Sequence, residues 1–194
     1  MERLIVGITG ATGTIYGVRI MELLRAHGGV EIHLVMSRAA KLTLKMEHDS
    51  EIDYINSLAH EVHEPGNVGA SISSGSFHSK GMMVAPCSIK TMSNIAIGNT
   101  GDLISRAADV VLKEHRRLVI VPRETPLHAG HCKLLYEAAM NGAIIAPPMP
   151  AFYNEPETLD DIINHTTGRL MDLFGLNSDL VKRWEGANNA AKNQ

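Results

Sequence analysis

Apolar positions along the chain alternate between two rhythms. Residues 4–9, Leu-Ile-Val-Gly-Ile-Thr, form a nearly continuous apolar run, the pattern of a strand covered on both faces. Gly10 and Gly13 interrupt it, after which Ile15, Val18, Met21 and Leu24 recur at helical spacing. Residues 32–36 predict a second strand and residues 39–46 a second helix. The stretch over 49–75 is more polar, with a short helix predicted over 54–60 and an irregular loop over 71–76. A third strand over 81–85 stops at Pro86. Helices over 89–97 and 102–115 follow, the second carrying Leu103, Ala107, Val110 and Val111 on one face. A strand over 118–121 ends at Pro122, and a helix over 131–140 leads to a strand over 143–146. Pro147, Pro148 and Pro150 forbid regular structure in the next segment. Thr158 is placed to cap a last helix in which Leu159, Ile162, Ile163, Leu170 and Leu173 repeat.

Short strands alternating with helices across short connections predict an α/β fold, a single-domain doubly wound parallel sheet with helices on both faces. No internal repeat or interdomain linker is visible. One domain is therefore expected over residues 1–185, with a small polar flexible tail over 186–194. The length of 194 residues suits that count. A net charge of −3 argues against a broad basic face for nucleic acid, and 4% aromatic residues argue against a stacking platform for single strands. Two cysteines, Cys87 and Cys132, make no disulfide framework and fit a reducing compartment. The first apolar run is too short for an export signal or a membrane span, so a cytoplasmic protein is expected.

Ligands of such sheets bind beyond the carboxyl ends of the strands, and three of those ends carry unusual residues. The turn Thr9-Gly10-Ala11-Thr12-Gly13 lets backbone approach a ligand, and the helix start behind it favours an anion such as phosphate. A plain tight turn is the simpler alternative. Pro86-Cys87-Ser88-Ile89-Lys90-Thr91 offers hydroxyls and free amides at another helix start, with ordinary N-capping, which Ser88 alone would explain, as the alternative. Cys87 has no base beside it in sequence and reads as packing. Pro122-Arg123-Glu124-Thr125-Pro126-Leu127 places a phosphate-gripping Arg next to a potential proton carrier, with a surface ion pair as the alternative. The spacings His60-x-x-His63 and His128-x-x-His131-Cys132 match no established zinc pattern, and ten histidines produce such spacings by chance, so no metal is expected.

These strand ends, with the Gly69-Ala70-Ser71-Ile72-Ser73-Ser74-Gly75-Ser76-Phe77 loop and Pro147-Pro148-Met149-Pro150-Ala151-Phe152-Tyr153, resemble the UbiX-like flavin prenyltransferase family, once named aromatic acid decarboxylases. The resemblance runs over about residues 4–175. It implies a Rossmann-like flavoprotein fold and an enzyme that joins the dimethylallyl group of dimethylallyl phosphate to reduced FMN, at flavin N5 and C6, releasing phosphate. The prenylated FMN then serves a UbiD-like decarboxylase. By position, Gly10, Ala11, Thr12, Ser37, Ser88, Ile89, Lys90, Thr91 and Arg123 would contact FMN. Lys113, Arg123, Glu124, Tyr153 and Arg169 would surround the dimethylallyl phosphate, with Glu124, Lys113 and Arg123 as the catalytic groups. The resemblance also implies a homo-oligomer, trimer or dodecamer, in which Tyr153 and Arg169 come from a neighbouring chain. Thr12 stands where the family commonly has serine, and Lys90 where it often has a small residue.

The residue chemistry is consistent with that implication. Lys113, Arg123 and Arg169 supply up to three positive charges for a departing phosphate, and Tyr153 adds a hydroxyl donor. Taken alone, Lys113 is an ordinary lysine near a helix end and Arg169 an ordinary surface charge. Other readings stay open at this level. One is a cysteine-type decarboxylase using bound FMN; its relatives carry a Pro-Ala-Ser-Ala-Asn-Thr-like segment where this chain has residues 86–91. A non-catalytic FMN-binding accessory subunit is another. An NADPH reductase, with Ser37-Arg38 on a 2′-phosphate, lacks both a G-x-G-x-x-G turn and a Tyr-x-x-x-Lys pair.

Overall fold

A computed structural model describes residues 1–47, 52–181 and 183. The elements run β1 (Glu2–Ile8), α1 (Thr14–His27), β2 (Val30–Met36), α2 (Arg38–Glu47), α3 (Ile52–Leu58) and β3 (Glu61–His63). A 3-10 turn (Ser71–Ser73) leads to β4 (Gly81–Cys87), α4 (Ile89–Ile97), α5 (Leu103–Lys113), β5 (Arg117–Pro122), α6 (Ala129–Met140), β6 (Ile144–Ile145) and α7 (Leu159–Asp172). The predicted α/β doubly wound architecture is what forms. Its strands are all parallel, in the order β3-β2-β1-β4-β5-β6. Such a sheet reverses its winding between β1 and β4, where the two neighbouring chain crossings depart in opposite directions and leave a crevice.

Both faces of the sheet are buried, which is why the central strands read as unbroken apolar runs. Leu4, Val6 and Ile8 of β1 point into one core with Ile20, Leu24 and Phe174; Ile5 points into the other with Val84, Ile104 and Ile120. Helix α1 stops where Gly28 turns left-handed, at φ 67°, and its amide returns to the Leu24 carbonyl. Thr158 caps α7 as the sequence predicts. Its side chain accepts from the Asp161 amide while the Asp161 carboxylate accepts from the Thr158 amide, a reciprocal capping box.

Three elements differ from the sequence reading. β3 was not expected, because Glu-Val-His is too short and too polar to show a strand pattern; it forms by pairing with β2, His33 opposite Glu61 and Val35 opposite His63. The last strand shrinks to the two residues of β6, both only half-buried. Helix α6 starts at Ala129, two residues before the predicted 131, because the His128 ring accepts from the amides of Gly130 and His131. The tail expected over 186–194 lies outside the described residues. Among those described, no helix is long and apolar enough to cross a membrane.

Candidate active site

The crevice between β1 and β4 is closed at its base by one hydroxyl. Thr9 Oγ1 donates to the Pro86 carbonyl at 2.8 Å and accepts from the Ser88 amide at 2.7 Å, and the Thr9 amide reaches the same Pro86 carbonyl at 3.2 Å. The turns after β1 and β4 are thereby fastened to each other. The next turn along is tied in too, since the Arg123 amide donates to the Cys87 carbonyl at 3.2 Å. Ser37, at the end of β2, takes the Ile8 carbonyl at 3.0 Å with its amide and caps α2 with its hydroxyl, 3.0 Å from the Ala40 amide. Gly10, Ser37, Ser88 and Arg123 therefore stand side by side at the carboxyl ends of β1, β2, β4 and β5.

Tight packing explains the two glycines here. A Cβ on Gly10 would overlap the Ala39 side chain, and one on Gly17 would sit 2.5 Å from the Ala85 carbonyl oxygen. Helix α1 is thus pressed against the end of β4, which no larger residue permits.

The helix start behind the glycine turn is not open to an external anion, contrary to the sequence expectation. The Glu47 carboxylate, from the end of α2, accepts from the Gly13 amide at 3.0 Å, the Thr14 amide at 2.9 Å and the Thr14 hydroxyl at 2.7 Å. Desolvation works to raise the Glu47 pKa, but the bonds from the Thr12 and Thr14 hydroxyls and the two amides outweigh it and hold the carboxyl below its ordinary range. The protein supplies its own anion at that helix. What stays open lies just before it and across the crevice. Among the described residues the amides of Gly10 and Thr12 have no internal acceptor, and neither do those of Ile89 and Lys90 in the first turn of α4. Ser88 caps that helix, accepting from the Thr91 amide at 3.3 Å and meeting the Thr91 hydroxyl at 3.2 Å.

Arg123 and Glu124 are exposed at the mouth of this cradle. The Arg123 guanidinium makes no bond or ion pair among the described residues, while Glu124 Oε1 accepts from the Thr125 amide at 3.0 Å. Cys87 is wholly buried, and burial pushes its thiol far above the ordinary range, so it stays protonated and inert as a nucleophile.

The remaining predicted residues lie elsewhere in the chain. Lys113 ends α5 below the start of β5 and pairs with Glu114 Oε1 at 2.6 Å. The six residues of β5 separate it from Glu124 by roughly 20 Å. Tyr153 and Arg169 lie with α7, which packs beside α1 on one face of the sheet. The Tyr153 hydroxyl is 3.3 Å from His165 Nε2, with the two rings edge to face. Arg169 donates to Asp172 Oδ2 at 2.8 Å, and Arg183 grips both oxygens of the same carboxylate at 3.0 and 2.9 Å. The Arg183 bond lowers the Asp172 pKa most; desolvation opposes it, and Arg169 adds to the lowering. Desolvation and the Arg169 charge lower the His165 pKa against the pull of Asp172, so its imidazole is neutral near pH 7. Arg169 and His165 line a cavity of about 220 Å³ with Pro147, Met149 and Leu173. Lys113 therefore does not meet Arg123 and Glu124 within one chain, and Tyr153 and Arg169 are engaged with His165 and Asp172.

Glu47, Thr9 and His165 were not singled out from sequence. Glu47 sits 34 positions from Gly13 with no local signal joining them. His165, Arg169 and Asp172 did carry one, since positions i, i+4 and i+7 of a helix share a face.

Comparison with known proteins places this geometry. The Flavoprotein family matches residues 1–171. The flavin prenyltransferase UbiX of Escherichia coli (strain K12) is 53% identical over 189 residues, covering 96% of this chain and all of that one. A UbiX crystal structure in complex with FMN and dimethylallyl pyrophosphate superposes with a TM-score of 0.93 at 46% identity, covering 95% of this chain and 98% of that one. A dodecameric FMN-dependent UbiX-like decarboxylase from Escherichia coli O157:H7 also gives 0.93, at 48% identity over 95% of this chain and 100% of that one.

Proposed function

The chain belongs to the Flavoprotein family and, within it, to the UbiX-like flavin prenyltransferases, and we propose that it joins the dimethylallyl group of dimethylallyl phosphate to N5 and C6 of reduced FMN, releasing phosphate. The observation that carries this reading is the set of amides at Gly10, Thr12, Ile89 and Lys90, facing one crevice beside the Arg123 guanidinium, all without a partner among the described residues. Backbone donors and a fixed guanidinium are the chemistry that holds a phosphate-bearing flavin. Bound reduced FMN supplies the nucleophilic ring atoms.

The protein's own part is electrostatic and positional. Arg123 offers a permanent charge to the phosphate as its bond to the allyl carbon lengthens. The Glu124 carboxylate takes up the proton displaced from flavin C6, and its bond from the Thr125 amide holds it in place. Ser37 and Ser88, each locked as a helix cap, present their remaining hydrogen-bonding capacity to the flavin with little freedom left to lose.

Lys113, Tyr153 and Arg169 reach this centre from other copies of the chain, in a trimer or dodecamer. Support for that comes from the separation of Lys113 from Glu124 in one chain and from the dodecameric relative. In this scheme the protein works in the cytoplasm and passes its product to a UbiD-like decarboxylase. The experiment is an anaerobic incubation of purified protein with reduced FMN and dimethylallyl phosphate, followed by mass spectrometry of the released flavin. A gain of one five-carbon prenyl unit is expected. Tightly bound but unmodified flavin, beside a competent control enzyme, would overturn the reading in favour of an FMN-dependent decarboxylase or an accessory subunit.

A further inference from the structure

At the edge of the sheet formed by β3, opposite β6, two buried histidines and a carboxylate converge where β3 joins β2. The register sets His33 directly opposite Glu61, with His63 two residues along on the same face. His33 Nδ1 lies 3.0 Å from His63 Nε2 and 3.4 Å from Glu61 Oε2, and one donor atom from each of the three residues falls within 4.8 Å of the others. His33 is 1% exposed and His63 6%, whereas the Glu61 side chain is half exposed and opens the group to solvent.

The surrounding contacts decide which nitrogens are free. His33 Nε2 is 3.1 Å from Glu31 Oε1, and Glu31 is held in turn by Arg3 at 3.3 Å. A carboxylate there fixes the imidazole proton on Nε2 and bares Nδ1. His63 Nδ1 is 3.5 Å from Glu61 Oε1, and the Nδ1–H tautomer of His63 would bare Nε2. His63 Nε2 and Glu61 Oε2 then both neighbour the bared His33 Nδ1, at 3.0 and 3.4 Å. The Phe77 ring, edge-on to His33 with centroids 4.9 Å apart, shields the group on one side. Without a cation, only one shared proton separates these electron-rich atoms.

We propose that His33 Nδ1, His63 Nε2 and Glu61 Oε2 bind one divalent ion of the zinc class, a structural site distinct from the flavin cradle that fastens edge strand β3 to β2. The observed separations of 3.0 and 3.4 Å bracket the edge of about 3.3 Å that a tetrahedron with bonds near 2.05 Å requires. His33 has a separate carboxylate, Glu31, on its other nitrogen, the outer arrangement that orients metal-binding histidines. Water completes the fourth position on the solvent side. The sequence spacing His60-x-x-His63 does not build this site, because His60 Nδ1 accepts from the Ile32 amide at 2.9 Å.

The test uses the full chain, stripped with chelator and titrated with Zn²⁺ against a chromophoric competitor, then with Co²⁺ followed by visible absorption. One equivalent of Zn²⁺ at micromolar affinity or better is expected, with the absorption of four-coordinate Co²⁺ and a melting temperature that rises with Zn²⁺ concentration. Glu61→Gln, at a half-exposed position that the fold tolerates, should weaken binding about tenfold or more while flavin binding and prenyl transfer stay unchanged. Glu31→Gln should weaken it by about 10–100-fold with the stoichiometry kept. His63→Gln should abolish it; if that variant does not fold, Glu61→Gln carries the test alone. Absence of micromolar binding, unchanged affinity in Glu61→Gln, or loss of binding in His131→Ala instead would each overturn the proposal.

Discussion

The two regions that carry the proposed chemistry are finished to different degrees. At the β1–β4 crevice a single chain satisfies nearly everything it buries: Thr9 joins two turns, Glu47 answers the α1 amides, and Ser37 and Ser88 cap the helices they precede. The outer edge is the reverse. β6 has two half-buried residues, α6 buries only Ala138, and Tyr136, Met140, Met149 and Phe152 stand mostly in water. Apolar exposure on that scale marks a surface awaiting a partner. In the proposed scheme the contrast makes the flavin cradle a property of the folded chain and the prenyl-donor side a property of the assembly.

The largest effect should come from the crevice side. Glu124→Gln keeps the charge-independent contacts but cannot take up a proton, so prenyl transfer should fall by about 10²- to 10⁴-fold while FMN affinity is retained. Single-turnover flavin mass analysis beside an equilibrium titration measures both, and unchanged turnover would sink the role given to Glu124. The outer edge offers the next test. Phe152→Glu puts a charge on a side chain that is 70% exposed in one chain. If a second copy covers it, association should weaken about tenfold or more in sedimentation, with transfer lost in proportion and flavin binding spared. A variant that assembles and reacts normally would erase the comparison.

The smallest effect concerns acid stability. Glu47 is held below its ordinary carboxylate range in the fold, so its contribution is fully present above that range and disappears as pH falls through the lowered value. Urea unfolding of the native protein should therefore lose stability from about pH 4.5 downward, and Glu47→Gln should flatten part of that slope. Equal slopes in both proteins would remove Glu47 from the account.

Much of the fold was legible in the chain because parallel strands buried on both faces leave long apolar runs, and Thr158 announces its helix by local chemistry alone. Strand β3 was not, since its three residues are held by register with β2 rather than by any pattern of their own. The cradle was legible as glycine and serine turns at strand ends, which the sheet lines up as expected. The occupant of the α1 helix start was hidden, because a bond between Glu47 and Gly13 is made by the packing of α2 on α1. Lys113 and Glu124 stand close in sequence, and only the length of β5 shows that they face opposite ends of the sheet.

Thr9 has a consequence for the rate at which the cradle fills. Its one hydroxyl serves two loops at once, so neither loop swings without the other. A mouth that cannot gape has no slow opening step to wait for, and flavin capture should follow simple second-order kinetics without saturating at high concentration. Thr9→Val keeps the shape and removes both hydroxyl bonds, leaving only the Thr9 amide on the Pro86 carbonyl. In that variant, association should acquire a first-order ceiling set by two loops that are now tied by a single backbone bond.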